Sequence, residues 1–430
     1  MKIAILSVAK NHPSNRRLKE ACQARGHKAR VFDTRRFWIL VEQGHPVLYY
    51  DDKPLPPVDA VIPRIGHSLT LFGTALIRQL EQMGVFCLNS SAAITVSRDK
   101  LRAMQALSRH GVGLPQTAFV RDQRAVAPAI EQVGLPVIIK LLQGTQGIGV
   151  MLAEDPATAE SIIETLHVSQ QNVLIQKFIR ESKGRDVRAF VVGGQVVGAV
   201  RRVAQGDEFR SNVHRGAKPE PFDLPPAYAQ VAIQAAQILG LHVAGVDLLE
   251  GEAGPVVMEV NSSPGIHEFE KVASVDVAAA IVEHIEQQVQ FPEVDLRQRL
   301  TLHRGHAVAE VKVGPRSALA GKTVAETGLR ERDVLVLSIL RGQETIPTPR
   351  GGERIHPGDV LVCSGSEATL RGLLPPLRSR KPKPVDGADP GREGHRERGG
   401  DAPSRGGDAG GEVEAGDVGR GAAPPPSGPA

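Results

Sequence analysis

Apolar residues in this chain come in short runs that alternate with amphipathic stretches, and their order predicts the architecture. Residues 2–7 form an apolar strand, 15–25 carry helical spacing that stops at Gly26, and 29–32 and 60–63 supply further strands. Strand and helix alternate, as in a parallel sheet. Ser97-Arg98-Asp99-Lys100 opens a helix running to His110, Gly111 stops it, and Gly113-Leu114-Pro115 marks the start of a new domain. Residues 136–140 form a strand that leads into Gly144-Thr145-Gln146-Gly147-Ile148-Gly149, and a second strand follows over 150–153. A strand over 172–179 precedes a hairpin, 186–192 and 195–202, turning at Gly193-Gly194. Residues 228–239 and 276–289 are helical. Between them, 243–249 and 255–261 are apolar strands joined by a Gly/Glu-rich turn, which makes a second hairpin. The pattern lapses after Phe291-Pro292 and resumes from His306 to about Leu374, with strands over 308–313, 334–341 and 360–362 and a helix starting within 319–324. After Arg378 almost no large apolar residue remains, the composition of a disordered tail.

Composition narrows the class. A chain of 430 residues, 41% hydrophobic and 23% charged, buries several cores. The pI near 9.0 is compatible with a nucleic-acid partner. The basic residues are dispersed, however, and with 3% aromatic residues there is little for bases to stack on, so no direct nucleic-acid binding is read. Cys22, Cys87 and Cys363 are too few and too far apart for a disulfide framework or a metal cluster, which points to a reducing compartment. No signal segment and no membrane-length apolar run is present, so a cytoplasmic protein without a membrane partner is expected.

The second hairpin carries the candidate chemistry. Side chains alternate along a strand, so Glu259 and Asn261 share a face, and a turn centred near residue 253 sets Asp247 opposite Glu259. Two carboxylates and an amide among apolar neighbours are hard oxygen donors suited to one or two Mg2+ ions. Upstream, the loop with Gly144, Gly147 and Gly149 lets backbone N–H groups approach a phosphate, and Lys140 adds a fixed charge at the strand end. Residues 209–216 form a polar, glycine-ended segment rich in hydrogen-bond donors.

With Ala60-Val61-Ile62-Pro63-Arg64-Ile65-Gly66, Arg98-Asp99-Lys100-Leu101-Arg102, the glycine loop, Phe209-Arg210-Ser211-Asn212, His214-Arg215-Gly216, and Met258-Glu259-Val260-Asn261-Ser262-Ser263-Pro264-Gly265 in this order, the chain closely resembles the RimK-type α-L-glutamate ligases of the ATP-grasp class. The resemblance implies an ATP-grasp fold, mixed α/β and α+β, behind a Rossmann-like pre-ATP-grasp domain. It also implies that Lys140 contacts ATP phosphates, with Lys100, Gly144, Gln146, Gly147 and Gly149 around them. Lys177 and Phe178 would border the adenine, Asp186 would reach the ribose, and Arg210, Ser211 and Asn212 would line the ATP site. Asp247, Glu259 and Asn261 match the ligands of two Mg2+ or Mn2+ ions. Arg210 is the candidate for gripping an acyl phosphate, and Arg64, Arg202 and Arg215 for holding substrate carboxylates. Lys177 stands where the family often has Glu, and Ala217 where it often has a second glycine.

Residues 306–375 are similar to the C-terminal domain of TrkA-type potassium-uptake regulators, small βα units that dimerise, which implies a regulatory appendage and a homo-oligomer. The expected division is 1–96 pre-ATP-grasp, 97–176 lid, 177–290 nucleotide and metal core, 291–305 linker, 306–375 appended domain and 376–430 tail. The expected activity is ATP-dependent addition of L-glutamate to a protein or peptide C-terminus, a ribosomal small-subunit protein by the resemblance. The alternatives are ligation to a small metabolite or carrier protein, and a non-catalytic nucleotide sensor.

Overall fold

The computed structural model describes residues 1–44, 46–142, 149–206, 208–211, 216–290, 305–342 and 344–373. Gly144, Gln146, Gly147, Asn212, Arg215, the linker before Gly305 and the tail from 374 onward therefore lie outside the described residues. The chain forms two compact units, Met1–Arg299 and Leu300–Ala430.

The first unit opens with β1 (Lys2–Leu6), α1 (Pro13–Ala24), β2 (Lys28–Phe32), β3 (Phe37–Leu40), β4 (Val47–Tyr50), β5 (Lys53–Pro54), β6 (Ala60–Pro63), α2 (Thr70–Gln82), β7 (Phe86–Cys87), α3 (Ser91–Arg98) and α4 (Lys100–Ser108). The strands order as β2-β1-β6-β7, all parallel. Ile3 to Leu6 and Ala60 to Ile62 are buried, as continuous apolar runs between helical layers must be. Strand order reverses between β1 and β6, leaving a crevice at their carboxyl ends. Where the sequence predicts one helix from Ser97 onward, the chain makes two. Asp99 adopts an extended conformation after α3, and its carboxylate accepts from Arg102 N at 3.0 Å, capping α4. The meander β3-β4-β5, with Trp38 stacked on Tyr49 at 3.8 Å, is absent from the predicted strands although Phe37–Leu40 and Val47–Tyr50 are apolar and aromatic runs.

A second, antiparallel sheet, in the order β10-β9-β11-β8, is built from β8 (Thr117–Val120), β9 (Val137–Leu141), β10 (Val150–Ala153) and β11 (Val173–Lys177), with α5 (Val126–Val133) and α6 (Pro156–Val168) packed against it. The third is five-stranded, in the order β14-β13-β12-β15-β16: β12 (Arg185–Val192), β13 (Gln195–Val203), β14 (Lys218–Pro221), β15 (Val243–Gly251) and β16 (Gly254–Asn261). Alternation along β12 sends Val187, Ala189 and Val191 to the core under α7 (Pro226–Ile238). Phe190 and Val192 go to the core shared with β1, α8 (His267–Ala273) and α9 (Val277–Gln290). The buried amide of Asn89 joins the parallel sheet to this one. It donates to Val243 O and Ser262 O, both at 2.8 Å, and accepts from Val243 N at 3.0 Å.

The second unit is a four-stranded antiparallel sheet, β17 (His306–Lys312), β18 (Val334–Arg341), β19 (Glu344–Pro347) and β20 (Val360–Ser366), ordered β17-β20-β18-β19 and followed by α10 (Glu367–Leu373). The helix expected to start within 319–324 is absent. Gly321 takes φ +80°, its N–H bonds Ile355 O at 2.9 Å, Ile355 N bonds Lys322 O at 2.9 Å, and Thr323 bridges Arg354. An extended partner thus satisfies the backbone that a helix would have satisfied internally. Among the described residues no helix is long and apolar enough to cross a membrane.

Candidate active site

A cavity of about 160 Å³ lies between the second and third sheets of the first unit, and its two ends differ in chemistry. Met104, Leu107, Leu114, Ile138, Leu174 and Phe178 give an apolar end suited to a flat base. Lys100, Lys140, Arg210 and Ser211 bring cations and donors toward Glu259.

The two lysines are placed by backbone or amide partners, Arg210 by a carboxylate. Lys140 Nζ donates to Gln176 Oε1 at 2.6 Å, and Lys100 Nζ to Leu142 O at 3.2 Å. Burial pushes the Lys140 ammonium down to about 8, against the pull of Glu259 and with help from Lys100. Burial likewise lowers Lys100. An anion entering between these lysines would favour the charged form of both and oppose the effect of burial. Arg210 is gripped by Glu208 through Nε and the neighbouring guanidinium nitrogen at 2.8 and 2.7 Å, and this pairing raises its pKa. Its remaining nitrogen reaches Val150 O at 3.4 Å, so Arg210 spans the two sheets. Lys177 and Phe178 sit at the apolar end, their N–H groups already given to Gln116 O and Pro136 O at 2.8 and 3.0 Å. Gly149, φ +73°, closes the glycine loop onto β9, with its carbonyl accepting from Leu141 N at 2.9 Å.

Adjacent strands set the carboxylates in register. Arg188 pairs with Asp247 across β12 and β15, Asp247 with Glu259 and Gly245 with Asn261 across β15 and β16, and Asp186 with Arg202 across β12 and β13. Asp247 is 2% exposed and takes both arms of Arg188 at 2.6 and 2.7 Å, while Arg202 approaches it at 3.0 Å. Burial alone would raise its carboxyl, but Arg188 and Arg202 outweigh that and hold it below the ordinary range. Arg202 also pairs with Asp186, both residues being buried, and these two carboxylates keep it protonated against burial. Asp186 and Arg202 thus sit behind the cleft lining rather than in it, with Ser211 the link between Asp186 and the cleft.

The donor set suits a small, hard dication. Glu259 lines the cleft and has no hydrogen-bond or ion-pair partner among the described residues. Asp247 Oδ1 accepts one hydrogen bond, and Asn261 turns its amide nitrogen toward Asp247 at 3.4 Å, leaving its oxygen for another partner. Among the described residues no three His, Cys, Asp or Glu side chains converge, so an ion here must take amide and substrate oxygens as well.

Arg188 is the member of this group that sequence reasoning missed. Its signal was the alternation Asp186, Arg188 along β12, which puts both side chains on the face that carries Asp247.

Residues 1–94 match the RimK PreATP-grasp domain, 97–285 the RimK-like ATP-grasp domain and 308–377 the TrkA-C domain. A probable alpha-L-glutamate ligase of Rhodopirellula baltica is 55% identical over 386 residues, 89% of this chain and 95% of the relative. The chain belongs to the RimK-type α-L-glutamate ligase family. As a member it is an ATP-dependent carboxylate–amine ligase with the ATP-grasp fold. A family relative from Coxiella burnetii (strain Dugway 5J108-111), also a probable alpha-L-glutamate ligase, is 50% identical over 291 residues, 67% of this chain but 97% of its own length. The solved structure of the ATP-grasp ligase PsnB, complexed with a phosphomimetic variant of its minimal precursor, Mg and ADP, shares the fold. It superimposes with a TM-score of 0.53 at 22% identity over 66% of this chain and 98% of that one.

Proposed function

We propose that this ligase adds L-glutamate through an α-amide bond to the C-terminal carboxylate of a protein or peptide, a ribosomal small-subunit protein by family resemblance, in a cytoplasmic setting. The observation that carries the reading is the cleft itself, with a base-sized apolar end, a row of cations, and then Glu259 with Asp247 and Asn261 behind it. ATP enters with its base against Met104, Leu107 and Phe178 and its phosphates toward Lys100 and Lys140, whose ammonium groups an anion favours. Asp247, Glu259 and Asn261 would hold Mg2+ or Mn2+, two ions by the family pattern, and the metal supplies charge neutralisation when the γ-phosphoryl group moves.

An oxygen of the acceptor carboxylate attacks the γ-phosphorus, the bond to ADP breaks, and an acyl phosphate results. Arg210, held in the plane of Glu208, presents its guanidinium to the transferring oxygens. The glutamate amine then attacks the acyl carbon, phosphate leaves with the acyl oxygen's electron pair, and the amine's proton passes to phosphate or solvent. Arg64, Arg202 and Arg215 are, from their charge, the candidate holders of acceptor or glutamate carboxylates. Of these, Arg202 would first have to exchange one of its buried carboxylate partners.

The test is ADP release with L-glutamate and Mg2+, with and without candidate acceptors, together with interception of the acyl phosphate as a hydroxamate by hydroxylamine. Acceptor-dependent ADP and a product heavier by glutamyl units support the reading. ATP turnover that is indifferent to every peptide acceptor and rises with a small carboxylate instead would move the substrate to the metabolite class.

A further inference from the structure

The crevice where strand order reverses in the parallel sheet carries cations that the nucleotide chemistry leaves unused. Arg64 follows β6, its N–H bonded to Leu6 O at 2.8 Å, so it stands at the carboxyl ends of β1 and β6, where open α/β sheets take ligands. One arm of its guanidinium donates to Pro264 O at 2.6 Å, and no acid pairs with it among the described residues.

Arg98 lies directly behind. It donates to Ile65 O, to Gly66 O at 2.9 Å and to Thr70 Oγ1 at 2.8 Å, again without an acid among the described residues. His12, at the start of α1, uses Nδ1 to accept from Ser14 N at 3.2 Å, leaving Nε2 without a partner among the described residues. Ser14 Oγ in turn accepts from Ile266 N and His267 N at 3.2 and 3.4 Å, which brings α1 to the segment after Pro264. His267 faces the exposed Glu268 at 3.7 Å. Two arginines with only neutral partners, and an imidazole whose protonation burial, Arg64 and His267 oppose, are the electrostatics of a site awaiting an anion.

The link to the reacting centre is short. A Cβ on Gly245 would lie 2.9 Å from Pro264 Cβ and 3.8 Å from Arg188 Cδ, and Gly245 is the register partner of Asn261. The proline whose carbonyl holds Arg64 therefore packs beside the strand pair that carries Asp247, Glu259 and Asn261.

We propose that Arg64, with His12 beside it and Arg98 bracing the turn behind, holds a non-reacting carboxylate of the incoming L-glutamate. This rests on the ligation reading above and adds to it the place of the amine substrate. The acceptor's carboxylate must meet the γ-phosphate between the two antiparallel sheets. The glutamate amine must reach the acyl phosphate formed there, and glutamate brings two carboxylates that do not react, which leaves one for Arg64 in the crevice beside the β15-β16 hairpin.

The experiment titrates L-glutamate into the full chain with Mg2+ and AMPPNP, reading the thermal shift for the native sequence, Arg64→Gln and Arg64→Lys. The native protein should bind glutamate saturably. Arg64→Gln should weaken glutamate by roughly ten- to a hundredfold, the range for losing a hydrogen-bonded charge partner, with Arg64→Lys between the two and AMPPNP affinity unchanged. Failure of the native protein to bind glutamate, or native affinity in Arg64→Gln, overturns the proposal, as does a rise in acceptor KM in place of glutamate KM. Arg64-dependent glutamate binding without ligation of any peptide would sink the acceptor reading and leave this one standing.

Discussion

Asp247 and Glu259 face each other directly across β15 and β16, yet their charges are handled in opposite ways. Asp247 is buried and matched by two arginines, whereas Glu259 opens on the cleft with no ion pair among the described residues. The first carboxylate belongs to the framework as well as to the site, and the second to the site alone.

Glu259→Gln and Asp247→Asn should therefore part company. Both should lower metal-dependent ADP formation at least a hundredfold. Glu259→Gln should keep stability within about 0.5 kcal/mol, as surface changes do, while Asp247→Asn should lose about 3 kcal/mol by breaking a buried ion pair. ADP release and urea unfolding on the same samples check this, and equal stability losses would refute the division.

Arg188→Met removes the bidentate partner of Asp247 and should destabilise by about 3 kcal/mol at pH 7. Arg188 and Arg202 keep the Asp247 carboxyl below its ordinary value of 3.8, so their stabilisation is full above that value and fades as the carboxyl protonates. The variant's own carboxyl protonates earlier on acidification. The gap between native and variant protein should thus shrink from pH 7 toward pH 4, which urea midpoints at the two pH values will show.

His284 sets a second pH dependence. It is buried against His242, at 3.0 Å, and burial followed by that neighbour lowers its pKa from 6.5 to about 4. The unfolded chain takes up the proton first, so the native state should be fully stabilised above pH 6.5 and lose on the order of 1–2 kcal/mol between there and pH 4. His284→Gln should flatten this part of the thermal-melting profile.

Ending the chain at Arg299 should leave a folded ligase. The Coxiella relative is matched over nearly its whole length by 67% of this chain, whereas the 386-residue match to the Rhodopirellula relative is too long to end within Met1–Arg299. We expect turnover within about threefold of the full chain and an altered mass by light scattering, since the family resemblance of residues 306–375 points to assembly. A folded, ATP-binding truncation without turnover would place the appended domain in the active site.

The β15-β16 hairpin was legible in the sequence because alternation and a short Gly-bearing turn fix register, and register alone sets Asp247 opposite Glu259. Arg188 was harder to see. Its role depends on which strand lies beside β12, and strand order across a sheet assembled from distant segments has no local signal. The break at Asp99 was hidden for another reason, since one residue ends α3 and caps α4, and periodicity on both sides reads as continuous. In the second unit, the helix read as starting within Leu319 to Val324 does not form, because Gly321 at positive φ and the strand-like partner at Ile355 take up its backbone, and Gly, Thr and Val give the segment little helical preference of its own.

The Asn89 amide carries a consequence for how the enzyme comes into being. Its bonds to Val243 and Ser262 span 154 and 173 residues. At ribosomal speeds of about 5–20 residues per second, on the order of ten seconds separates the emergence of Asn89 from that of its partners. The parallel sheet has that interval in which to fold and offer the amide as a template on which the β15-β16 hairpin docks. A chain refolded from denaturant has all its segments competing at once, so its active site should mature more slowly and with more aggregation than on the ribosome.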